Sequence, residues 1–452
     1  MDGRTVAAVS TPKGKGGVAM IRISGEDAFG VASRVFIPVS GKSLSSYKPN
    51  TAVYGRFNED GIAFDDGMAI VYKTPSSFTG EDTVELCCHG GLLVTRKLLT
   101  AVFAAGAVPA GPGEFTKRAF INGKLTLSEA EAVAGIIDAA SEKHLGISLL
   151  QLEGSLSRKI SDIYSKLTYL LSSVYAFIDY PDEDMTDIPV DEMKKTLSGI
   201  LKELDALYES RKYGKAISEG VSAVIAGRPN TGKSSLLNFL SGSERAIVTD
   251  IEGTTRDVIT EKITVGSIVL NLSDTAGIRE GGDMIEKMGI ERSAEAVKNA
   301  EIIILVLESR LTGGDEKVIK LIKDAGKEAV TVALYNKTDV NNAVFGGIFE
   351  NEIAFSAKTG EGKARLEEII AKLCSEAERG DDGTVIISAR QFGALKRARN
   401  GVSSAIAALD TFTQDIAGMD IEQALAALGE LDGREVTEEV VNGIFSHFCV
   451  GK

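Results

Sequence analysis

The sequence predicts a multidomain α/β chain in which a phosphate-loop (P-loop, Ras-like) α/β domain is inserted into an α-helical domain, with an α+β domain preceding both. Three observations carry that expectation. A glycine-rich loop stands between a strand-like and a helix-like run within residues 221–238, the context in which such a loop cradles phosphates. Strand and helix patterns alternate from about residue 217 to 378, as in a parallel α/β sheet. Helical leucine spacing flanks that stretch on both sides.

The elements follow in chain order. Residues 18–23, 67–72 and 83–88 are short β-rich runs punctuated by Gly and Pro, so residues 1–120 read as one α+β domain. Pro109, Gly111, Pro112 and Gly113 break that pattern. From Ser128 helix formers take over, and Leu149, Leu152, Leu156, Ile160, Ile163, Leu167, Leu170, Val174 and Phe177 step by three and four, which predicts one long helix. The acidic, Pro-bounded segment 180–189 separates it from a second helix with Leu197, Leu201, Leu204 and Leu207 on one face. Residues 121–215 therefore form the first part of the helical domain, and residues 216–379 the α/β domain. After a linker at 380–383, Phe392, Leu395, Val402, Ile406 and Leu409 resume helical spacing, so residues 380–452 form the second helical part. Each helical part leaves a wide apolar face uncovered, and the two are expected to pack together across the insertion.

At 452 residues the chain exceeds one ordinary core, and 44% hydrophobic with 25% charged residues is a soluble globular balance. Its longest clean apolar run, residues 302–307, is far short of the roughly 20 residues a membrane-spanning helix needs. The first ten residues carry no secretory or transit signal, so a cytoplasmic location with no membrane association is expected. Cys87, Cys88, Cys374 and Cys449 fit neither a disulfide framework nor a zinc site. His89, His144 and His447 have no metal-ligand spacing and read as structural. A net charge of −14 disfavours nonspecific nucleic-acid binding by bulk charge.

Five stretches between Gly227 and Lys358 converge on one nucleotide site. Gly227-Arg-Pro-Asn230-Thr231-Gly232-Lys233-Ser234-Ser235 is the phosphate loop; its glycines let backbone N–H groups wrap the phosphates, Lys233 reaches the β and γ oxygens, and Ser234 ligates Mg²⁺. Thr249-Asp250-Ile251-Glu252-Gly253-Thr254-Thr255 precedes Arg256-Asp257 and supplies a switch threonine for Mg²⁺, by preference Thr255. Asp274-Thr275-Ala276-Gly277 follows a strand; Asp274 holds Mg²⁺ through water and the Gly277 N–H senses the γ-phosphate. In Asn336-Lys337-Thr338-Asp339 a carboxylate can accept both guanine N1–H and the 2-amino group, a pattern adenine lacks, so the nucleotide is GTP. Ser356-Ala357-Lys358 is expected at the base edge. Where Ras-like enzymes carry a water-orienting Gln, Ile278 has no hydrogen-bonding group, which leaves Glu280, Asp283 and Glu286 as acidic candidates.

The phosphate loop with Asn230, the run Asp274-Thr-Ala-Gly-Ile-Arg-Glu280, the segment Gly111-Pro-Gly-Glu-Phe-Thr-Lys-Arg-Ala-Phe120 with Asn122-Gly123-Lys124, and the terminal Phe448-Cys449-Val450-Gly451-Lys452 resemble the MnmE (TrmE) family of tRNA uridine-modification GTPases over the whole chain. The resemblance implies a GTPase domain inserted in the helical domain, and an N-terminal domain that binds 5-formyl- or 5,10-methylene-tetrahydrofolate and forms a homodimer. The matching folate residues are Arg22, Glu81, Lys124 and Lys452. It also implies GTPase domains that approach one another in the transition state, with K⁺ held by Asn230, Thr249, Ile251 and Thr254 in place of an arginine finger, and Glu286 as the water-orienting glutamate. Cys449 lies in the terminal motif as a candidate for one-carbon chemistry, against the rival reading of a small buried hydrophobe.

In this family a flavin-bearing partner of the MnmG (GidA) type would complete a heterotetramer, which adds a carboxymethylaminomethyl or aminomethyl group at C5 of the tRNA wobble uridine. The alternatives are a ribosome-assembly or translational switch GTPase with RNA- or protein-binding accessory domains, and a P-loop ATPase or kinase.

Overall fold

Along Val18–Ser24, Ala19, Ile21 and Ile23 are buried while Val18 is exposed and Met20 and Arg22 are half-buried, the period-two alternation of a strand with one face on a core. The computed structural model describes residues 3–179, 189–243, 261–273, 295–325, 329–374, 382–411 and 414–452. The chain divides into two compact units, Met1–Ala134 with Leu428–Lys452, and Gly135–Ala427.

The first unit is built on a sheet of β1 (Val6–Val9), β2 (Val18–Ser24), β3 (Phe36–Pro38), β4 (Thr51–Glu59), β5 (Ile62–Tyr72), β6 (Thr83–His89) and β7 (Val108–Pro109), in the order β3-β4-β5-β6-β2-β1-β7. All neighbours are antiparallel except β1 and β7. Helices α1 (Ala28–Val35) and α2 (Leu92–Ala104) cover one face, where Val31, Leu98 and Val102 meet Ile21, Ile23, Val84 and Leu86 in one core. Helix α3 (Glu114–Ile121) and the start of α4 (Leu127–Ile137) follow. The end of the chain returns here through α13 (Glu438–Phe445), whose Val441 and Phe445 pack with Leu127 and Ala130.

In the second unit the helical part begins with α5 (Glu142–Leu152), α6 (Ser155–Asp179) and α7 (Val190–Ser218). The single helix expected from residue 149 to 177 is two: the chain turns at Gly154, whose φ of 85° is left-handed, a conformation glycine adopts without steric cost and one that ends a helix. Apolar spacing continues across the turn because both helices contribute to cores, so periodicity did not reveal the break. Helix α7 buries Met193, Leu197, Ile200, Leu204 and Leu207.

The inserted α/β part contains β8 (Val221–Ala226), α8 (Lys233–Ser243), β9 (Glu261–Val265), β10 (Ile268–Leu272), β11 (Ile302–Leu307), α9 (Asp315–Ala325), β12 (Val330–Tyr335), β13 (Asn351–Ala354) and α10 (Lys363–Cys374). The order is β13-β12-β11-β8-β10-β9, parallel except for β9. Every residue of β11 is buried, as expected for a parallel strand covered on both faces. Ile302, Ile304 and Val306 join one core with Leu236, Leu240 and Ile370, while Ile303, Leu305 and Leu307 join another with Ile319 and Ile322.

The chain then re-enters the helical part. Gln151 Nε2 donates to the Val385 carbonyl at 2.5 Å, Arg211 Nη1 to that of Ile387 at 2.6 Å, and the Ile386 N–H donates to Ser210 Oγ at 3.1 Å. Helix α11 (Ala389–Thr411) runs against α7, with Tyr208 and Phe392 rings 4.9 Å apart and Lys194 paired to Asp410 at 2.5 Å. The two helical parts thus pack across the insertion, as their apolar faces required. Helix α12 (Gln414–Asp432) completes the set. Among the described residues no helix is long and apolar enough to cross a membrane.

Two glycines of α7 test this packing. A Cβ at Gly214 would collide with the Ile386 carbonyl, whereas one at Gly199 meets nothing within 4 Å. Gly214→Ala should lose about 1–3 kcal/mol by overpacking, and Gly199→Ala should be neutral or gain up to about 1 kcal/mol from helix propensity. Urea denaturation of the full chain checks both, and an equal loss in the two variants would contradict the close approach of residues 385–386 to α7.

Candidate functional site

Strands β12, β11 and β8 end side by side, and the loops leaving their carboxyl ends converge at the edge where open α/β sheets bind ligands. The loop after β8 wraps back on itself before α8. Gly227 and Gly232 have φ of 148° and 100°. Asn230 has φ of 66°, a left-handed conformation that asparagine enters more readily than most residues. Gly232 is doubly required: its backbone is left-handed, and a Cβ there would strike the Asn336 amide nitrogen. Thr231 is fully buried, and its hydroxyl donates to the Arg228 carbonyl at 3.0 Å.

Lys233 opens α8 with its ammonium folded over the loop, donating to the carbonyls of Gly227 and Arg228 at 2.8 Å each. Burial holds its pKa below the usual lysine value, because a desolvated cation prefers to lose its proton. Backbone N–H groups at a helix start, a positive dipole and a partly desolvated ammonium together form a receptor for phosphate. Ser234 and Ser235 stand exposed in the first turn of α8.

The residues expected to read the base follow β12, on the far side of β11 from β8. Asn336, at the end of β12, is 3% exposed; its Nδ2 donates to the Thr231 carbonyl at 2.9 Å and its Oδ1 accepts the Ala357 N–H at 3.1 Å. One buried amide thus ties three loops together. Lys337, with φ of 67°, extends its Nζ to the Asn230 carbonyl at 2.8 Å. The Thr338 hydroxyl donates to Glu361 at 2.8 Å. Buried Ser356 donates its hydroxyl to Asp339 Oδ1 at 2.9 Å and accepts the Thr359 N–H at 3.2 Å. Ser356 thereby orients the Asp339 carboxylate, and the exposed Lys358 lies 3.9 Å from its other oxygen.

Sequence motifs did not reveal the ionic frame around these loops. Arg228 Nη2 pairs with Glu308 at 2.6 Å and its Nε with the buried Asp315 at 3.0 Å. The remaining Asp315 oxygen caps the turn at Thr312, accepting its N–H at 3.0 Å and its hydroxyl at 2.7 Å. The one available signal is that Glu308 immediately follows an entirely apolar strand, at the sheet's functional edge.

Both switch segments lie outside the described residues: Thr249, Asp250, Ile251, Glu252, Gly253, Thr254 and Thr255 in the first, and Asp274, Thr275, Ala276, Gly277, Glu280, Asp283 and Glu286 in the second. Elsewhere in this unit a surface cleft of about 630 Å³ between α6 and α7, lined by Lys166, Glu192, Lys195 and Glu203, holds no such convergence of loops.

In the first unit the loop from Lys73 to Asp82, helix α3 and the chain end come together. Glu81 accepts from Ser24 Oγ and from the buried Arg118 Nη1, each at 2.8 Å. Arg22 pairs with Glu85 at 2.8 Å, and its guanidinium lies 5.5 and 5.4 Å from the ring centres of Phe78 and Phe115. Lys124 Nζ donates to the Pro75 carbonyl at 3.0 Å, and the neighbouring Asn122 amide to that of Thr79 at 2.7 Å. The Lys452 carbonyl accepts the Phe115 N–H at 3.0 Å, and the Gly451 carbonyl accepts the Ser10 hydroxyl at 2.9 Å. Arg22, Glu81, Lys124 and Lys452 therefore border one loop cluster, with Arg118 and Ser24 holding Glu81. Cys449 is exposed, so its reading as a buried hydrophobe does not hold. His89 is tied to Asp65 at 2.7 Å, and with Asp66 these groups place three donor atoms within 4.8 Å of one another on the surface.

Comparison with known proteins accounts for nearly the whole chain. The family model described as "MnmE helical domain" matches residues 127–449, and that described as "GTP-binding protein TrmE N-terminus" matches residues 5–124. The tRNA modification GTPase MnmE of Clostridioides difficile (strain 630) is 38% identical over 458 residues, covering 99% of each chain. That of Thermotoga petrophila is 39% identical over 463 residues, covering 99% of this chain and 100% of its own. Among solved structures, the G domain of the T. maritima FeoB iron transporter aligns at 22% identity with a TM-score of 0.26, over 34% of this chain and 99% of that one.

The geometry of the phosphate loop is directly testable. An L-residue forced into the left-handed region costs about 1–3 kcal/mol, so Gly232→Ala should weaken binding of a fluorescent guanine nucleotide by about tenfold or more. The thermal midpoint of the nucleotide-free protein should fall as well, because the strain and the displaced Asn336 amide are present before nucleotide binds. Unchanged affinity would show that nucleotide does not use this loop.

Proposed function

The chain belongs to the MnmE family, and we propose on that premise that it is a GTP hydrolase acting in tRNA modification, at C5 of the wobble uridine. The observation that carries the nucleotide reading is the buried Asn336–Thr231 hydrogen bond, which sets the loop of Lys233 and the loop of Asp339 beside one another on a single sheet edge. A guanine nucleotide would reach from one loop to the other. Its base presents N1–H and the 2-amino group to Asp339, already oriented by Ser356, while its phosphates lie over the N-terminus of α8.

The roles follow from the chemistry of each group. On binding, Lys233 exchanges the carbonyls of Gly227 and Arg228 for phosphate oxygens, and the anion offsets the penalty that burial places on its ammonium. In hydrolysis water adds to the γ-phosphorus as the β–γ bridging bond breaks, and charge develops on the GDP oxygens facing Lys233 and the loop N–H groups. Ser234 and Thr255 would hold Mg²⁺, while Asn230, Thr249, Ile251 and Thr254 would hold K⁺. Of these, Ser234 and Asn230 fall among the described residues; both are exposed beside the loop with oxygen donors that suit hard cations. Either cation would neutralise charge on the transferring group. Glu286 would orient the attacking water, since Ile278 cannot.

In the N-terminal unit Arg22, Glu81, Lys124 and Lys452 border a tetrahydrofolate site, a 5-formyl or 5,10-methylene form supplying the one-carbon unit. Carboxylate and cations of this kind complement a pterin's N–H donors and a glutamate tail. Cys449, exposed in the terminal segment that borders this cluster, is a candidate for the one-carbon chemistry. The working assembly is a homodimer joined by a flavin-bearing MnmG-type subunit, with tRNA as substrate.

Cells lacking this chain should yield tRNA without the wobble C5 modification in nucleoside analysis by mass spectrometry. Intact modification would refute the role in tRNA. For the hydrolytic step, GTP turnover should be much faster in KCl than in NaCl of equal ionic strength. Equal rates would remove the cation from Asn230.

A further inference from the structure

We infer that Glu308 is a positioning residue for the guanine nucleotide: its two carboxylate oxygens clamp the phosphate-holding loop to the base-reading loop and set the distance between them. The inference rests on the guanine-nucleotide reading and goes beyond the motifs that support it. Strand β11 lies between β8, which launches the phosphate loop, and β12, which launches the base loop. Glu308 is the first residue past β11 and so stands in the seam between those loops. One of its oxygens pairs with Arg228 of the phosphate loop at 2.6 Å, the other with Lys337 of the base loop at 2.7 Å.

Both cations are held on their far sides. Arg228 is anchored by the buried Asp315 at 3.0 Å, and Lys337 donates to the Asn230 carbonyl at 2.8 Å, bracing the left-handed turn at Asn230. The Lys337 hydrogen bond, followed by Arg228, draws the Glu308 carboxyl below the usual glutamate range. Burial alone would weaken the Arg228 charge, but Asp315 and Glu308 outweigh it and raise its pKa. Both Glu308 oxygens are taken up by Arg228 and Lys337, which leaves contact with the nucleotide to Lys233 and Asp339. Glu308 acts by keeping Lys233 and Asp339 at the separation that one GTP spans, which is why it is a positioning residue and not a catalytic one.

A ligand that grips both loops should feel the loss of the clamp, and a ligand that grips one should not. In the full-length chain, Glu308→Gln is expected to weaken GTP and GDP by about tenfold, the scale of one charge-assisted contact, with kcat at saturating GTP within about twofold of the wild type. Inhibition by tripolyphosphate, which occupies the phosphate loop alone, should be unchanged. Glu308→Asp keeps the charge but is a methylene too short to reach both cations, and should show the same pattern at smaller size; it stands in if the Gln variant fails to fold. Wild-type nucleotide affinity in either folded variant overturns the inference. So does a loss of equal size for tripolyphosphate and GTP, which would mark a general defect of the phosphate loop. Wild-type protein that binds no GTP would instead refute the underlying nucleotide reading.

Discussion

The buried amide of Asn336 holds the proposed nucleotide site together. It donates to the phosphate loop at Thr231 and accepts from the loop after β13 at Ala357. An amide can do both because it carries donor and acceptor on one rigid group. Its burial makes either bond costly to leave unmade, so three loops from three parallel strands are held in register. Gly232 follows from the same constraint, since any side chain there would occupy the space of the amide.

Around that link the charges are arranged in series. Asp315, Arg228, Glu308, Lys337 and the Asn230 carbonyl alternate in sign across the sheet edge. Exposed ion pairs contribute little to stability, and these groups are in part exposed. Their effect is geometric: they limit the conformations open to two glycine-bearing loops and so reduce the ordering required when a nucleotide binds. The first unit shows a comparable arrangement on a smaller scale, where Arg118 and Ser24 fix Glu81 and the returning chain end hydrogen-bonds to α3 and to Ser10.

Much of the fold was legible from periodicity. The strand at 221–226 is β8 itself, and the alternation read from 217 to 378 is the parallel sheet, in which the apolar run 302–307 is the fully buried β11. The helical faces on either side of the insertion do pack together as α7 and α11. Periodicity failed at Gly154, where two helices share one apolar spacing and only the left-handed turn separates them. Nor could it show that the Ser356 hydroxyl bonds to Asp339. A residue type states what a side chain can donate, not which of several nearby partners it will find.

The sequence by itself determined the class of chemistry, because a phosphate loop and the carboxylate proposed to read guanine are built from a few contiguous residues whose backbone conformation is local. Gly227, Asn230, Gly232, Lys233 and Asp339 belong to that set. Arg228 and Glu308 are 80 residues apart, and Arg118 and Glu81 are 37 apart. Only the tertiary structure decided that they meet, since strand order and helix docking bring such groups together, and neither is encoded in the spacing of any one segment.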